Sequence, residues 1–190
     1  MAAKTGKQSL RIIAGAWRSR RIQFAANPAL RPTPDRVRET LFNWLMPVID
    51  GARCLDLFCG SGILGLEALS RGAEQVVFVD QHRESIQALR DNCQLLGARS
   101  ARFVEMDVLR YLQGNKEPFD LVFVDPPYQA TDLLTSTCRL LQDNQWLAPN
   151  AFVYVEHDQH FDTSGLPSTW QRHRHKQAGQ VNYALYKAAN

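Results

Sequence analysis

From residue 53 onwards, short apolar runs alternate with longer segments in which apolar residues recur every three or four positions. The runs 53–58, 75–80, 102–106, 121–125 and 152–157 have strand length and read as strands. The segments 63–70, 84–96, 108–113 and 131–141 between them read as helices. VVFVD and LVFVD are nearly continuous in apolar residues, as strands covered on both faces must be. Strand and helix in alternation predict a doubly wound α/β layer around a mostly parallel sheet. The end of the chain breaks this rhythm. Residues 170–176 and 181–187 read as two strands joined at Ala178-Gly179, an antiparallel C-terminal hairpin.

Before residue 51 the texture differs. Residues 10–17 and 19–24 read as a small N-terminal β-hairpin around a basic turn. Thr33-Pro34 then reads as a helix start, with Thr33 as cap and Pro34 in the first turn. Val37, Leu41, Trp44, Leu45 and Val48 fall on one face of that helix. The chain is therefore divided into an N-terminal extension, 1–50, and an α/β domain, 51–190.

Composition adds little to the fold and more to the chemistry. With 45% apolar and 22% charged residues the chain is an ordinary globular one, and no apolar run reaches membrane-spanning length. The first ten residues lack the apolar stretch of a signal peptide. Cys54, Cys59, Cys93 and Cys138 form no C-x-x-C pair, so reduced thiols in a cytoplasmic protein are expected. The five histidines suggest no metal site; His157 and His160 stand three apart without a third ligand. Net charge is only +3, but residues 1–40 carry +7, residues 171–190 carry +4, and the remainder carries −8. Basic ends around an acidic body point to a polyanionic partner. Trp17 with Arg18, Arg20 and Arg21 suits RNA, since cations meet phosphates and an indole can stack on an unpaired base. Arg31, Arg36 and Arg38 are further candidates for RNA contact.

The candidate site lies where the predicted strands end. The first runs into Asp56-Leu-Phe-Cys-Gly60-Ser-Gly62, and a helix follows. Glycines at such a turn let the backbone approach a ligand, and the helix start offers free N–H groups. Asp80 ends the next strand, 18 residues past Gly62, where a carboxylate can accept from both hydroxyls of a ribose. Asp107 follows the third strand and is placed for an amino group such as that of adenine. Gly60, Gly62 and Gly65 also satisfy the dinucleotide spacing, so a nicotinamide-dependent oxidoreductase remains an alternative. Asp56 argues against it, because a carboxylate there repels a pyrophosphate but can bind an ammonium. S-adenosylmethionine carries a ribose, an adenine, an ammonium and no phosphate.

The fourth strand ends in Asp125-Pro126-Pro127-Tyr128. The Asp125 carboxylate and the Pro126 carbonyl offer two acceptors in fixed geometry, and Tyr128 offers a flat face. An aromatic amine can donate both N–H groups to them while its ring stacks. Holding those hydrogens localises the nitrogen lone pair for attack on a methyl group. The chemistry requires no metal and no covalent enzyme intermediate.

With these residues in view, the chain resembles the amino-methyltransferases of nucleic acids, and more closely the bacterial RsmD type. Residues 11–15, 31–43, 55–72 and 122–128 carry the resemblance. It implies a seven-stranded class I methyltransferase, Rossmann-like, with S-adenosylmethionine as cofactor. It implies methylation of the 2-amino group of a guanine in 16S rRNA of the small ribosomal subunit or its assembly intermediate. Asp56, Phe58, Gly60, Gly62, Asp80 and Asp107 map to the cofactor site, and Asp125, Pro126 and Tyr128 to the catalytic turn. Phe58 stands where the wider fold often has a further glycine; phenylalanine is usual among the amino-methyltransferases. The alternatives are methylation of adenine or cytosine amines in DNA or another RNA, and a non-catalytic RNA-binding module. A monomer is expected.

Overall fold

The computed structural model describes residues 7–25, 33–127 and 130–189. Strands β1 (Lys7–Arg11) and β2 (Arg21–Ala25) form a two-stranded antiparallel sheet, and α1 (Asp35–Leu45) follows. The α/β region then runs β3 (Arg53–Leu57), α2 (Ile63–Ser70), β4 (Gln75–Asp80), α3 (Arg83–Leu96), β5 (Ala101–Glu105), α4 (Val108–Leu112), β6 (Phe119–Val124), α5 (Thr131–Asp143) and β7 (Leu147–Asp158). The hairpin β8 (Trp170–Ala178) and β9 (Val181–Ala188) ends the chain. The seven-stranded sheet has the order β5-β4-β3-β6-β7-β9-β8. Strands β3 to β7 run parallel to one another, and β9 runs antiparallel to β7 and β8. This is the predicted mostly parallel sheet with its C-terminal hairpin.

The central strands are apolar because both faces are covered. Val76, Val77, Phe78 and Val79 in β4 have no exposed surface, and neither do Val122, Phe123 and Val124 in β6. Burying each such side chain stabilises the fold by about 1.5–3 kcal/mol. One core layer takes Leu41, Leu66, Ile86, Leu89 and Phe123 between the sheet and α1, α2 and α3. The other takes Val122, Leu112, Leu134, Cys138 and Val153 under α4 and α5.

The N-terminal elements share the first of these layers. Ile12, Ile22, Val37, Leu41, Phe42 and Leu45 are buried in it. Asn92 of α3 grips β2 with its amide, accepting from the Gln23 N–H at 3.1 Å and donating to the Gln23 carbonyl at 2.7 Å. Residues 12–20, expected to be mostly strand, instead form a loop across the outer side of α2. There Ala16 N–H donates to the Ser70 carbonyl at 2.7 Å, and Trp17 N–H donates to Ser70 Oγ at 2.9 Å. A Cβ on Gly15 would sit 1.8 Å from the Ser70 carbonyl oxygen, so this close approach requires glycine. The loop also explains why α2 is buried on almost every side. At α1 the expected cap is not formed. Pro34 occupies the cap position without a side-chain hydrogen bond, and Thr33 turns inward instead.

Candidate active site

The parallel arrangement brings the C-terminal ends of β3, β4, β5 and β6 to one edge of the sheet, where ligands of open α/β sheets bind. A cavity of about 610 Å³ opens there. Asp56, Asp80, Asp107 and Asp125 all line it, as do Phe58, Gly60 and Pro126. Tyr128 and Arg31 lie outside the described residues.

Each acid is held differently. Asp56 is buried and accepts the Gly65 N–H at 2.9 Å. Burial pushes its pKa up to about 8, against the opposing pull of that hydrogen bond, and the Asp80 charge adds to the rise. Asp80 accepts the Gly60 N–H on one oxygen at 2.8 Å and the His82 N–H on the other at 2.8 Å. It thereby clamps the glycine turn; His82 Nδ1 also lies 2.8 Å from the oxygen that takes the His82 N–H, and the oxygen that takes the Gly60 N–H keeps a further lone pair for a ligand. Asp107 is exposed and caps α4 by accepting the Arg110 N–H at 3.0 Å, leaving its second oxygen towards the cavity.

Asp125 follows β6 directly. Burial raises its pKa well above the usual carboxylate range, and the neighbouring Glu156 and Asp56 charges raise it further. A hydrogen bond from the Thr33 hydroxyl opposes the rise. Glu156 accepts the Tyr154 hydroxyl at 2.8 Å, and burial raises its pKa too. Thr33 was read from the sequence only as a helix cap, and Tyr154 and Glu156 were not singled out. The same signal that marked the other acids marks Glu156, which stands near the end of an apolar strand run. Nothing in the sequence marks Thr33 for the site.

The turn between β3 and α2 carries backbone strain. Phe58 has φ +57°, Gly60 φ +50° and Gly62 φ +70°. The left-handed region costs a non-glycine residue about 1–2 kcal/mol. Phe58 thus stands in a conformation that glycine adopts freely, with its ring on the cavity wall. Gly62 corrects an expectation. It does not line the cavity; a Cβ there would meet Leu89 Cδ2 at 2.1 Å. Its role is packing of α3 against the turn.

Among the described residues lining the cavity there are six carboxylates (Asp56, Asp80, Asp107, Asp125, Glu156 and Asp158) and no lysine or arginine. Such a site attracts a cationic ligand and repels a phosphate.

A family model described as "Conserved hypothetical protein 95" matches residues 10–187. The chain belongs to this family, the RsmD-type methyltransferases. The Escherichia coli K12 protein named ribosomal RNA small subunit methyltransferase D is 48% identical over 183 residues, covering 96% of this chain and 92% of that one. The Haemophilus influenzae Rd protein of the same name is 43% identical over 185 residues, covering 95% of each. The solved Escherichia coli structure of yhhF superposes with a TM-score of 0.89 at 47% identity, covering 96% of this chain and 99% of that one.

The arginines of this RsmD-type methyltransferase divide into two groups. Arg18, Arg20, Arg21 and Arg36 are exposed, and Trp17 is half-buried against the core. Arg20 donates to the Leu95 carbonyl at 3.1 Å, and Arg21 to Ser9 Oγ at 3.1 Å. Arg38 corrects the expectation of RNA contact. Its side chain has no exposed surface and pairs with buried Glu67 at 2.8 Å and with Asp35 at 2.6 Å. It also donates to the Thr33 carbonyl at 3.2 Å and the Arg11 carbonyl at 3.0 Å. With every direction filled by protein, no surface remains for a phosphate.

Proposed function

We propose that this protein transfers a methyl group from S-adenosylmethionine to the exocyclic 2-amino group of a guanine in 16S rRNA of the small ribosomal subunit. The observation that carries the proposal is Asp125 at the tip of β6, facing a cavity walled by carboxylates and free of described lysine or arginine. The relatives named as small subunit rRNA methyltransferases support the substrate class.

The residues present fit the cofactor. Asp56 can accept its ammonium, Asp80 its ribose hydroxyls and Asp107 the adenine amine, while Phe58, Val108 and Leu134 supply apolar wall. When bound, the cofactor supplies an electrophilic methyl group on a positively charged sulfur. A dinucleotide would instead set its pyrophosphate among carboxylates, which disfavours the oxidoreductase alternative.

Asp125 accepts one amino N–H of the base and the Pro126 carbonyl the other, which turns the nitrogen lone pair towards the methyl group. Tyr128, outside the described residues, keeps its sequence-based role of stacking on the base. Transfer of that methyl group from sulfur to nitrogen would leave positive charge on the nitrogen. Asp125, acting as an ionised carboxylate whose proton affinity is raised by burial and by Glu156, would take the proton that nitrogen then releases.

Two measurements test the proposal. Calorimetry should give binding of S-adenosylhomocysteine and none of NADH. Labelled methyl groups should enter 16S rRNA when the protein meets small subunits from cells lacking it, and nucleoside analysis should find 2-methylguanosine. Label in a different base, or binding of NADH alone, refutes the reading.

A further inference from the structure

The acidic cavity raises a problem for any RNA substrate. A base can enter it, but the phosphodiesters on either side of that base meet acidic side chains with no lysine or arginine among the described lining residues. Cations must therefore hold those phosphates outside the cavity, on its rim. The sequence singled out the N-terminal arginines for this purpose. The sheet carries a second basic surface.

Strand β8 is the outer edge of the sheet and pairs only with β9. From Gln171 to Gln177 every residue is exposed. Arg172, His173, Arg174, His175 and Lys176 succeed one another without an acid. An edge strand is kept from pairing with another chain by one or two charges or a bulge. β8 already has a bulge between Arg172 and Arg174, so three fixed cations exceed that need.

The register gives these cations a direction. Arg174 lies opposite Leu185 and Lys176 opposite Tyr183. Directly opposed residues share a face of the sheet, and Leu185 and Tyr183 belong to the core layer that holds the N-terminal hairpin. Arg174 and Lys176 thus project on the same side as that hairpin, while Arg172, opposite Tyr186 of the other core layer, projects from the other face of the strand edge. The turn that links β8 to β9 brings Gln180 and Val181 into the cavity wall. The basic stripe therefore starts at the cavity mouth. Three strand spacings of about 4.8 Å separate β8 from β6, which sets the stripe ~14 Å from the strand that carries Asp125. The N-terminal hairpin packs on α3, towards the β4 and β5 side of the sheet. Its basic turn meets the C-terminal ends of α2 and α3, at Ser70 and Leu95, away from the cavity edge where those helices begin, so of the two basic surfaces β8 is the one that reaches the cavity mouth.

We propose that β8, through Arg172, Arg174 and Lys176, is a docking surface for backbone phosphates of the RNA strand next to the target base. The proposal rests on the RNA substrate inferred above. The strand acts by charge, so its contribution is independent of base sequence and sensitive to salt.

The test is the triple variant Arg172→Gln, Arg174→Gln, Lys176→Gln, assayed with small subunits across a range of salt concentrations. The proposal expects KM to rise by roughly 100-fold near 0.1 M salt, and the log–log salt slope of binding to shrink by about 2, at ~0.7 per lost phosphate contact. The kcat at saturation, the affinity for S-adenosylhomocysteine and the melting temperature should stay those of the wild type. The single variants Lys176→Gln and Arg174→Gln should each shrink the slope by about 0.7. An unchanged KM and slope overturns the proposal, as does an unchanged KM with new self-association, which would make these charges guards of the strand edge. A KM rise matched by lost cofactor affinity or lost stability in the single variants also overturns it. The wild-type arm stands apart: absence of methyl transfer to small subunits would refute the substrate reading, not the surface, which single-stranded RNA binding then tests alone.

Discussion

Replacing Arg38 by methionine removes the buried cation that ties the N-terminal extension to α2. The guanidinium makes four contacts, to Glu67, Asp35 and the carbonyls of Thr33 and Arg11. Its loss leaves Glu67, whose side chain has no exposed surface, with the Ile13 N–H and a longer contact to Arg71 at 3.3 Å. Stranding one partner of a buried pair costs about 3–5 kcal/mol. For a chain of this size each kcal/mol lowers the melting temperature by about 2–4 °C, so a fall of roughly 10 °C is expected. Urea melts of Arg38→Met, Glu67→Gln and the double variant give the coupling directly. Removing both charges should cost less than the sum of the single losses, because the stranded carboxylate is gone. The salt slope of RNA binding should not change in Arg38→Met, since a cation that meets no solvent releases no counterions. A loss below about 1 kcal/mol, or additive single effects, refutes the account of Arg38 as the buried tie.

Asp125, Asp56 and Gly62 give further expected outcomes. Asp125→Ala should lower methyl transfer by at least ~100-fold while affinity for S-adenosylhomocysteine stays within a few-fold; transfer near the wild-type rate would remove Asp125 from the chemistry. Asp56, with a pKa near 8 in the free protein, must lose its proton to bind an ammonium. Affinity for S-adenosylmethionine should then fall by up to ~10-fold per pH unit below 8, read by calorimetry from pH 8 to 6. The same raised carboxyl makes the folded free protein the tighter proton binder, so its contribution to stability is present below about pH 4 and lost as pH rises to about 8; a melting temperature that rises over that window refutes the assignment. Gly62→Ala should destabilise by about 1–3 kcal/mol, since it joins a φ of +70° to a clash with Leu89, and should leave cofactor affinity of the folded protein unchanged.

The α/β layer was legible because its strands and helices are periodic over their whole lengths. The helix expected at 63–70 and the strand expected at 75–80 are found at those bounds. Where long-range contacts decide, the pattern was silent. The N-terminal pairing ends at Ile12, which still bonds to Arg20 and Ser19, because Glu67 and Ser70, more than fifty residues away, take backbone groups of Ile13, Ala14, Ala16 and Trp17. Strand β7 begins at Leu147, five residues before the expected start, because Ala148, Pro149 and Asn150 hide it behind turn-forming residues.

The site divides along the same line. A carboxylate at the end of an apolar strand is readable, because few places in a parallel sheet put an acid next to an apolar run except the ligand-binding edge. Asp56, Asp80, Asp107 and Asp125 were found this way and do line one cavity. Burial of a charge is not readable. Arg38 and Arg36 stand two residues apart in one basic run, yet one is sealed by Glu67 and the other lies in solvent. Gly62 and Gly60 share one turn, yet Leu89 fills the space beside one and the cavity lies beside the other. In each pair the deciding neighbour lies more than 25 residues away. Composition therefore identifies which charges are in excess, and only packing says which of them can act. The acidic body of the sequence supplies the cavity wall, and of the two basic ends the C-terminal one, on β8, begins beside the cavity mouth. In the function proposed above, that separation of charge would admit a base into the cavity and keep its phosphates outside.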